Sequence, residues 1–249
     1  MDEEILKYKD DSYVVRDTFK SKEYFLEQLE KINGFINKYK TYFENGAVKD
    51  MHVYYISIAS KLLEKIKVLQ TLREDPENIK CLVEEYCDAV EKKSADLTYN
   101  EVKNTLSLAY LYNLNIENVE FVKKNMLKDT CIDAPLDMLI NGIFTSNPVT
   151  SKNFCFKLTL SGSLEKTDDE FMNVVNAENQ DEKNTAFIEY LKTTKESFYK
   201  RQLKEYERIG EDRYTYTGSY DFMLTALAKM LNIDKSLLED SKFIAIDLI

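Results

Sequence analysis

The chain has no tryptophan, a single histidine, three prolines and six glycines in 249 residues. A β-sandwich or barrel of this length needs turn signals about every 8–12 residues, and so few chain breakers cannot supply them. Positive charge is also short. There are 34 Lys and Arg against 44 Asp and Glu, a formal net charge of -10 and a pI near 4.9. Nonspecific nucleic-acid binding depends on cationic surface that neutralises phosphates, so this balance opposes it. An acidic chain suits a solvated surface or a basic partner.

The scarce reactive residues fit no catalytic pattern. Cys81, Cys87, Cys131 and Cys155 form no CxxC pair, and His52 alone cannot complete a zinc site with them. They read as buried thiols of a reducing compartment. No Gly-x-Ser-x-Gly elbow, phosphate loop or dinucleotide fingerprint occurs. Glu84 and Glu85 are adjacent on a predicted helix, so their side chains diverge and make no carboxylate dyad. The reading is a protein that is not an enzyme and takes no cofactor or metal. The opening Met-Asp-Glu-Glu has no apolar signal core, and no apolar run nears the ~20 residues of a membrane span. The expected location is the cytoplasm.

What the chain does have is helical periodicity. Phe25, Leu29, Ile32, Ile36, Tyr39 and Phe43 recur at alternating steps of four and three, with Asp17, Thr18 or Ser21 as the cap and Gly46 as the stop. Tyr55, Ala59, Leu62, Ile66 and Leu69 repeat the spacing in a helix predicted from about Val48, which makes an antiparallel hairpin with the first. Asp75-Pro76 starts a third helix through Ile79, Leu82, Val83, Tyr86 and Val90. Tyr99, Val102, Leu106, Ala109 and Tyr110 carry a fourth. Asn115 caps a fifth through Ile116, Val119, Val122 and Met126. Phe154, Phe156, Leu158 and Leu160 alternate like a strand but lack a pairing partner, so 145–165 reads as an extended connector or irregular helix. A long helix is predicted from Asn184 to Ile209, then one over 219–232 and a short one near 235–240. The fold class is all-α, with an N-terminal long helical hairpin region (1–128) packed on a C-terminal helical region (129–249).

Two groups of residues are candidates for contact with a partner. Glu165, Asp168, Asp169, Glu170, Glu178, Asp181 and Glu182 fall within eighteen residues that hold one lysine, Lys166. Such a run is either a solvated connection between helices or a patch for a basic surface. In the tail, Tyr214, Tyr216 and Tyr220 cluster with Asp221, Asp234, Glu239, Asp240 and Asp247, and aromatics beside carboxylates suit a protein interface. Phe222, Leu227 and Leu231 read as core.

The tail also carries a resemblance. Tyr216-Thr-Gly-Ser-Tyr-Asp-Phe222, then Met223 through Ile233-Asp234, then Phe243-Ile-Ala-Ile-Asp247-Leu248 resembles the C-terminal signature of the PoNi-type immunity proteins, partners of secreted bacterial DNase toxins. Arg16-Asp17-Thr18-Phe19, Ser107-Leu-Ala-Tyr-Leu111 and Asp133-Ala-Pro-Leu136-Asp137-Met-Leu-Ile140 extend it toward the N-terminus. The chain departs from the pattern at Tyr220, where the family has tryptophan, at Met223 for a glutamate, at Lys235 for an aspartate, and at Phe243-Ile-Ala-Ile. The resemblance implies a non-enzymatic, acidic, cytoplasmic immunity protein of a polymorphic toxin system. It would occlude the active site or DNA groove of a cognate DNase toxin with a basic surface. The expected contact residues are Asp168, Asp169, Glu170, Asp181, Glu182, Tyr216, Asp221, Asp234, Asp240 and Asp247. The second reading of the residues is a helical adaptor or chaperone-like protein-binding module.

Overall fold

The computed structural model describes residues 3–9, 15, 17, 19–93, 97–125, 133–150, 164–195, 204, 207, 216–241 and 243–249. The fold is all-α, and no strand occurs among the described residues. In chain order the α-helices are α1 (Glu3–Leu6), α2 (Lys22–Glu44), α3 (Met51–Thr71), α4 (Pro76–Lys92), α5 (Tyr99–Leu111), α6 (Glu120–Asn125), α7 (Ala134–Thr145), α8 (Leu164–Val175), α9 (Gln180–Tyr190) and α10 (Phe222–Met230).

The chain forms two compact units, each discontinuous in sequence. One comprises residues 1–96, 117–125 and 215–219, and the other 97–116, 126–214 and 220–249. α5 therefore groups with the later helices although it precedes Lys128 in the chain, and Lys128 itself lies outside the described residues.

In the first unit α3 packs between α2 and α4. The apolar spacing decides why. Phe25, Leu29, Ile32 and Ile36 make one buried stripe of α2; Ile58, Leu62, Ile66 and Leu69 do the same on α3, and Ile79, Val83, Tyr86 and Val90 on α4. Each start carries its own cap. Ser21 accepts from the Tyr24 amide, Asp50 from Val53 and Asp75 from Glu77, with Pro76 in the first turn of α4. Asp17 holds the preceding turn by accepting from the Phe19 and Lys20 amides. Gly46 adopts φ +65° after α2, the left-handed conformation expected of it.

Differences from the sequence pattern have local causes. α3 begins at Met51 rather than near Val48, because Asp50 supplies the cap. Tyr54 and Ile58, not Tyr55, turn inward ahead of Ala59. The α2 stripe loses its burial at its end, where Phe43 is 44 % exposed. Cys87 is buried as expected, and burial together with Glu84 pushes its thiol up to about 12. Cys81 is exposed instead, since it sits two positions from Ile79 and Val83 and faces away from their stripe. Cys131 and Cys155 lie outside the described residues. The Nδ1 of His52 is 2.7 Å from the Lys93 carbonyl at the end of α4, which uses the ring in a helix-terminating contact.

The second unit is built around α10, whose residues Phe222 to Ala228 are all buried. It packs against α5 and α7. Gly142 on α7 permits the approach: a methyl there would come within 2.7 Å of the Met230 sulfur. Thr98 and Glu101 form a capping box at the start of α5. Asp133 caps α7, and its other oxygen accepts a 2.6 Å hydrogen bond from the Tyr99 hydroxyl. Burial and the Asp133 charge push the Tyr99 hydroxyl far above its ordinary range, so it stays a donor. α8 and α9 form their own antiparallel pair around Phe171, Val174, Phe187 and Tyr190. Of the predicted connector, 151–163 lie outside the described residues. The helix predicted from Asn184 starts four residues earlier, at Gln180 after the Asn179 cap, and widens into a π-turn over Leu191–Lys195. The tail helix is bounded by its Asp221 cap and ends at Met230, and a 3-10 turn follows over Lys235–Leu238.

Candidate functional site

The acidic stretch is a structured pair of helices rather than a connector. Its residues occupy α8, the four-residue link after it and the first turn of α9. Local chemistry explains the α9 start. Asn179 accepts from the Glu182 amide, and the Glu182 carboxylate accepts in return from the Glu178 amide. Carboxylates in a first helical turn also face the positive end of the helix dipole, so Asp181 and Glu182 are placed where negative charge is favoured.

A cleft of about 540 Å³ opens along this pair. Glu170 and Asn173 of α8 form one wall. Asp181, Glu182, Thr185, Glu189 and Thr193 run along the other, with Thr185, Glu189 and Thr193 following the adjacent Asp181 and Glu182 at steps of three or four residues. Among the described residues, no lysine or arginine lines it. The Thr193 hydroxyl lies 2.9 Å from both a Glu170 carboxylate oxygen and the Glu189 carbonyl, which fixes the mouth. Phe171 meets Tyr190 edge to face at 5.2 Å beneath the carboxylates. This is a rigid apolar floor under a rim that accepts hydrogen bonds and attracts cations. Glu189, Thr185 and Thr193 did not stand out in the linear run. The signal was their helical spacing from Asp181 and Glu182, not local charge density.

The other expected contact residues divide by environment. Asp168 and Asp169 belong to α8, and their side chains lie outside the described residues. Asp234 is exposed and caps the 3-10 turn by accepting from the Ser236 amide and hydroxyl. Its own amide donates to the Asn184 side chain, and Gln180 donates to the Leu231 and Asn232 carbonyls, so the turn after α10 adjoins the α9 start. Asp240 and Asp247 are exposed on the same tail. Asp221 has inward work. It accepts from the Met223 and Leu224 amides at the head of α10 and makes a 2.9 Å ion pair with Lys103, both side chains being about 15 % exposed. Tyr216 belongs to the first unit, where its hydroxyl donates to Asp17 at 2.6 Å, its amide donates to the Tyr24 hydroxyl, and its ring meets Phe19 edge to face.

Residues 137–248 match the family model described as PoNe immunity proteins (PoNi), C-terminal. Through this region the chain is similar to the C-terminal part of the PoNi immunity proteins. The match runs from α7 through α10 to the end of the tail, so the acidic pair and its cleft are within the PoNi-like part. The N-terminal motifs lie outside the matched span. No curated protein matches the chain. Among solved structures, it is similar to protein PA2201 from Pseudomonas aeruginosa, with 14 % identity, a TM-score of 0.63 and coverage of 98 % of this chain and 93 % of that one. That likeness concerns the fold alone. Among the described residues, no group of His, Cys, Asp or Glu is disposed to hold a metal ion, and no helix is long and apolar enough to cross a membrane.

Proposed function

We propose that the chain neutralises a nuclease toxin by binding it stoichiometrically in the cytoplasm, with the α8–α9 cleft as the contact. The observation that carries this reading is the cleft itself: four carboxylates (Glu170, Asp181, Glu182 and Glu189) rim one cavity, with no basic side chain among its described lining residues. A nuclease holds phosphates with lysine and arginine, and carboxylates on an apolar floor satisfy the same cations. A toxin so engaged has its active site or DNA groove covered, and no bond in either protein changes. Asp168 and Asp169 contribute from α8, and Asp234, Asp240 and Asp247 add negative field beside it. Tyr216 and Asp221 each serve through the framework of their own unit.

The test is co-expression with the product of the neighbouring gene, then binding and DNA-cleavage assays on the purified pair. Asp181→Lys with Glu182→Lys should weaken binding at least tenfold and restore cleavage, while helical content persists. The wild-type association rate should fall as salt rises, because long-range attraction is screened beyond a Debye length of ~8 Å at 0.15 M. Full inhibition by the folded double variant would remove the cleft from the contact.

A further inference from the structure

A second surface, in the first unit, has the opposite character. Nine large apolar side chains among the described residues are 40 % or more exposed, and five of them fall within residues 42–56: Tyr42, Phe43, Met51, Val53 and Ile56. All five lie in the last turn of α2 or the first two turns of α3. Phe43 stacks on Tyr54 at 5.1 Å, and Tyr54 in turn reaches Tyr39, whose ring contacts Tyr42. Val53 and Ile56, three residues apart, project from the side of α3 opposite Ile58 and Leu62. At such exposures, side chains of this size present roughly 400–500 Å² of apolar surface in all.

The charge around this patch says what covers it. Residues 35–56 hold Lys38, Lys40 and Lys49 against Glu44 and Asp50, and Lys40 pairs with Glu85 of α4, so this end of the hairpin is close to neutral while the whole chain carries -10. Two copies repel each other through most of their surface, and least through this turn. Here both signs lie side by side, which lets a two-fold contact set Lys49 of one copy against Glu44 or Asp50 of another. A symmetric contact uses one self-complementary patch on both copies. A specific interface takes about 800 Å² per partner with a somewhat apolar majority, which this patch and its polar rim supply. A nearly neutral turn offers a basic nuclease no charge attraction.

We propose that the α2–α3 turn is a self-association surface through which two copies of this chain form a symmetric dimer. Sedimentation equilibrium of the free full-length chain tests it. A dimer is expected whose affinity rises with salt, because screening relieves repulsion between two acidic chains while apolar burial is kept. That sign is opposite to the one expected for toxin capture. Val53→Glu and, separately, Ile56→Lys should each weaken dimerisation roughly tenfold or more. Both positions are exposed, and unchanged circular dichroism shows that the fold is intact. Toxin inhibition should survive both changes, so this idea and the cleft can fail independently. A chain that stays monomeric at every concentration and salt overturns the proposal. So does a monomer that instead sediments with anionic vesicles through the same residues.

Discussion

In the α2–α3 pair the outward positions carry Tyr42, Phe43, Val53 and Ile56, whereas in the α8–α9 pair they carry Glu170, Asp181, Glu182 and Glu189. Both are antiparallel helices closed by a short link, and both hide aromatic or aliphatic side chains underneath. The backbone device is the same, so it does not decide what either surface does. Function follows from the residues left over after each hairpin has satisfied its own core. On one surface the leftovers are apolar and nearly neutral in charge, which favours contact at short range. On the other they are carboxylates, whose attraction acts at a distance and weakens with salt.

The strongest way to break the contrast is to remove the support beneath the acidic surface. Phe187→Ala deletes a fully buried ring of α9 and should lower stability by about 3–5 kcal/mol in denaturant unfolding. Toxin binding should fall with it although no charge has changed. Retained binding would mean that carboxylates suffice without their rigid floor. Next in size is Asp221→Ala, which removes the α10 cap and leaves Lys103 without its carboxylate. A loss of about 2–4 kcal/mol is expected by thermal unfolding, and a loss under 1 kcal/mol would show the pair to be solvated rather than structural. Thr98→Ala breaks the capping box of α5 and should cost about 1 kcal/mol, read in the same assay. The smallest thermodynamic change belongs to thiol labelling, which sharpens the comparison between the two faces of one helix. Cys81 should react with a maleimide within minutes in the native protein. Cys87, buried and with its thiol held near 12, should react only on unfolding, as peptide mass spectrometry would show. Equal labelling of both would contradict the burial of the α4 stripe.

Much of the helical framework was legible. Asp75-Pro76 marked a helix start because a side-chain cap and a proline without an amide hydrogen both suit a first turn. Phe25, Leu29, Ile32 and Ile36 marked a buried stripe because their spacing matches the helical repeat. The same rule overran at Phe43, since periodicity says which residues share a face but not where the covering neighbour ends. The candidate site was legible only in part. A dense acidic run pointed to α8 and the α9 start, yet Glu189 and Thr193 lie seven and eleven residues past Glu182 and join it only once the chain is coiled. The tail carboxylates looked alike in sequence. In the folded chain Asp221 has Lys103 and two amides, Asp234 has its own turn, and Asp240 and Asp247 face solvent.

The sequence by itself determined the all-α class, most helix starts and the acidic balance, because caps, periodicity and charge are properties of neighbours along the chain. Only the tertiary structure decided which carboxylates are exposed at the surface and which are held inside. The ionic partner of a carboxylate can lie more than a hundred residues away, as Lys103 does from Asp221, and that distance closes only through burial of the core that brings α5 against α10.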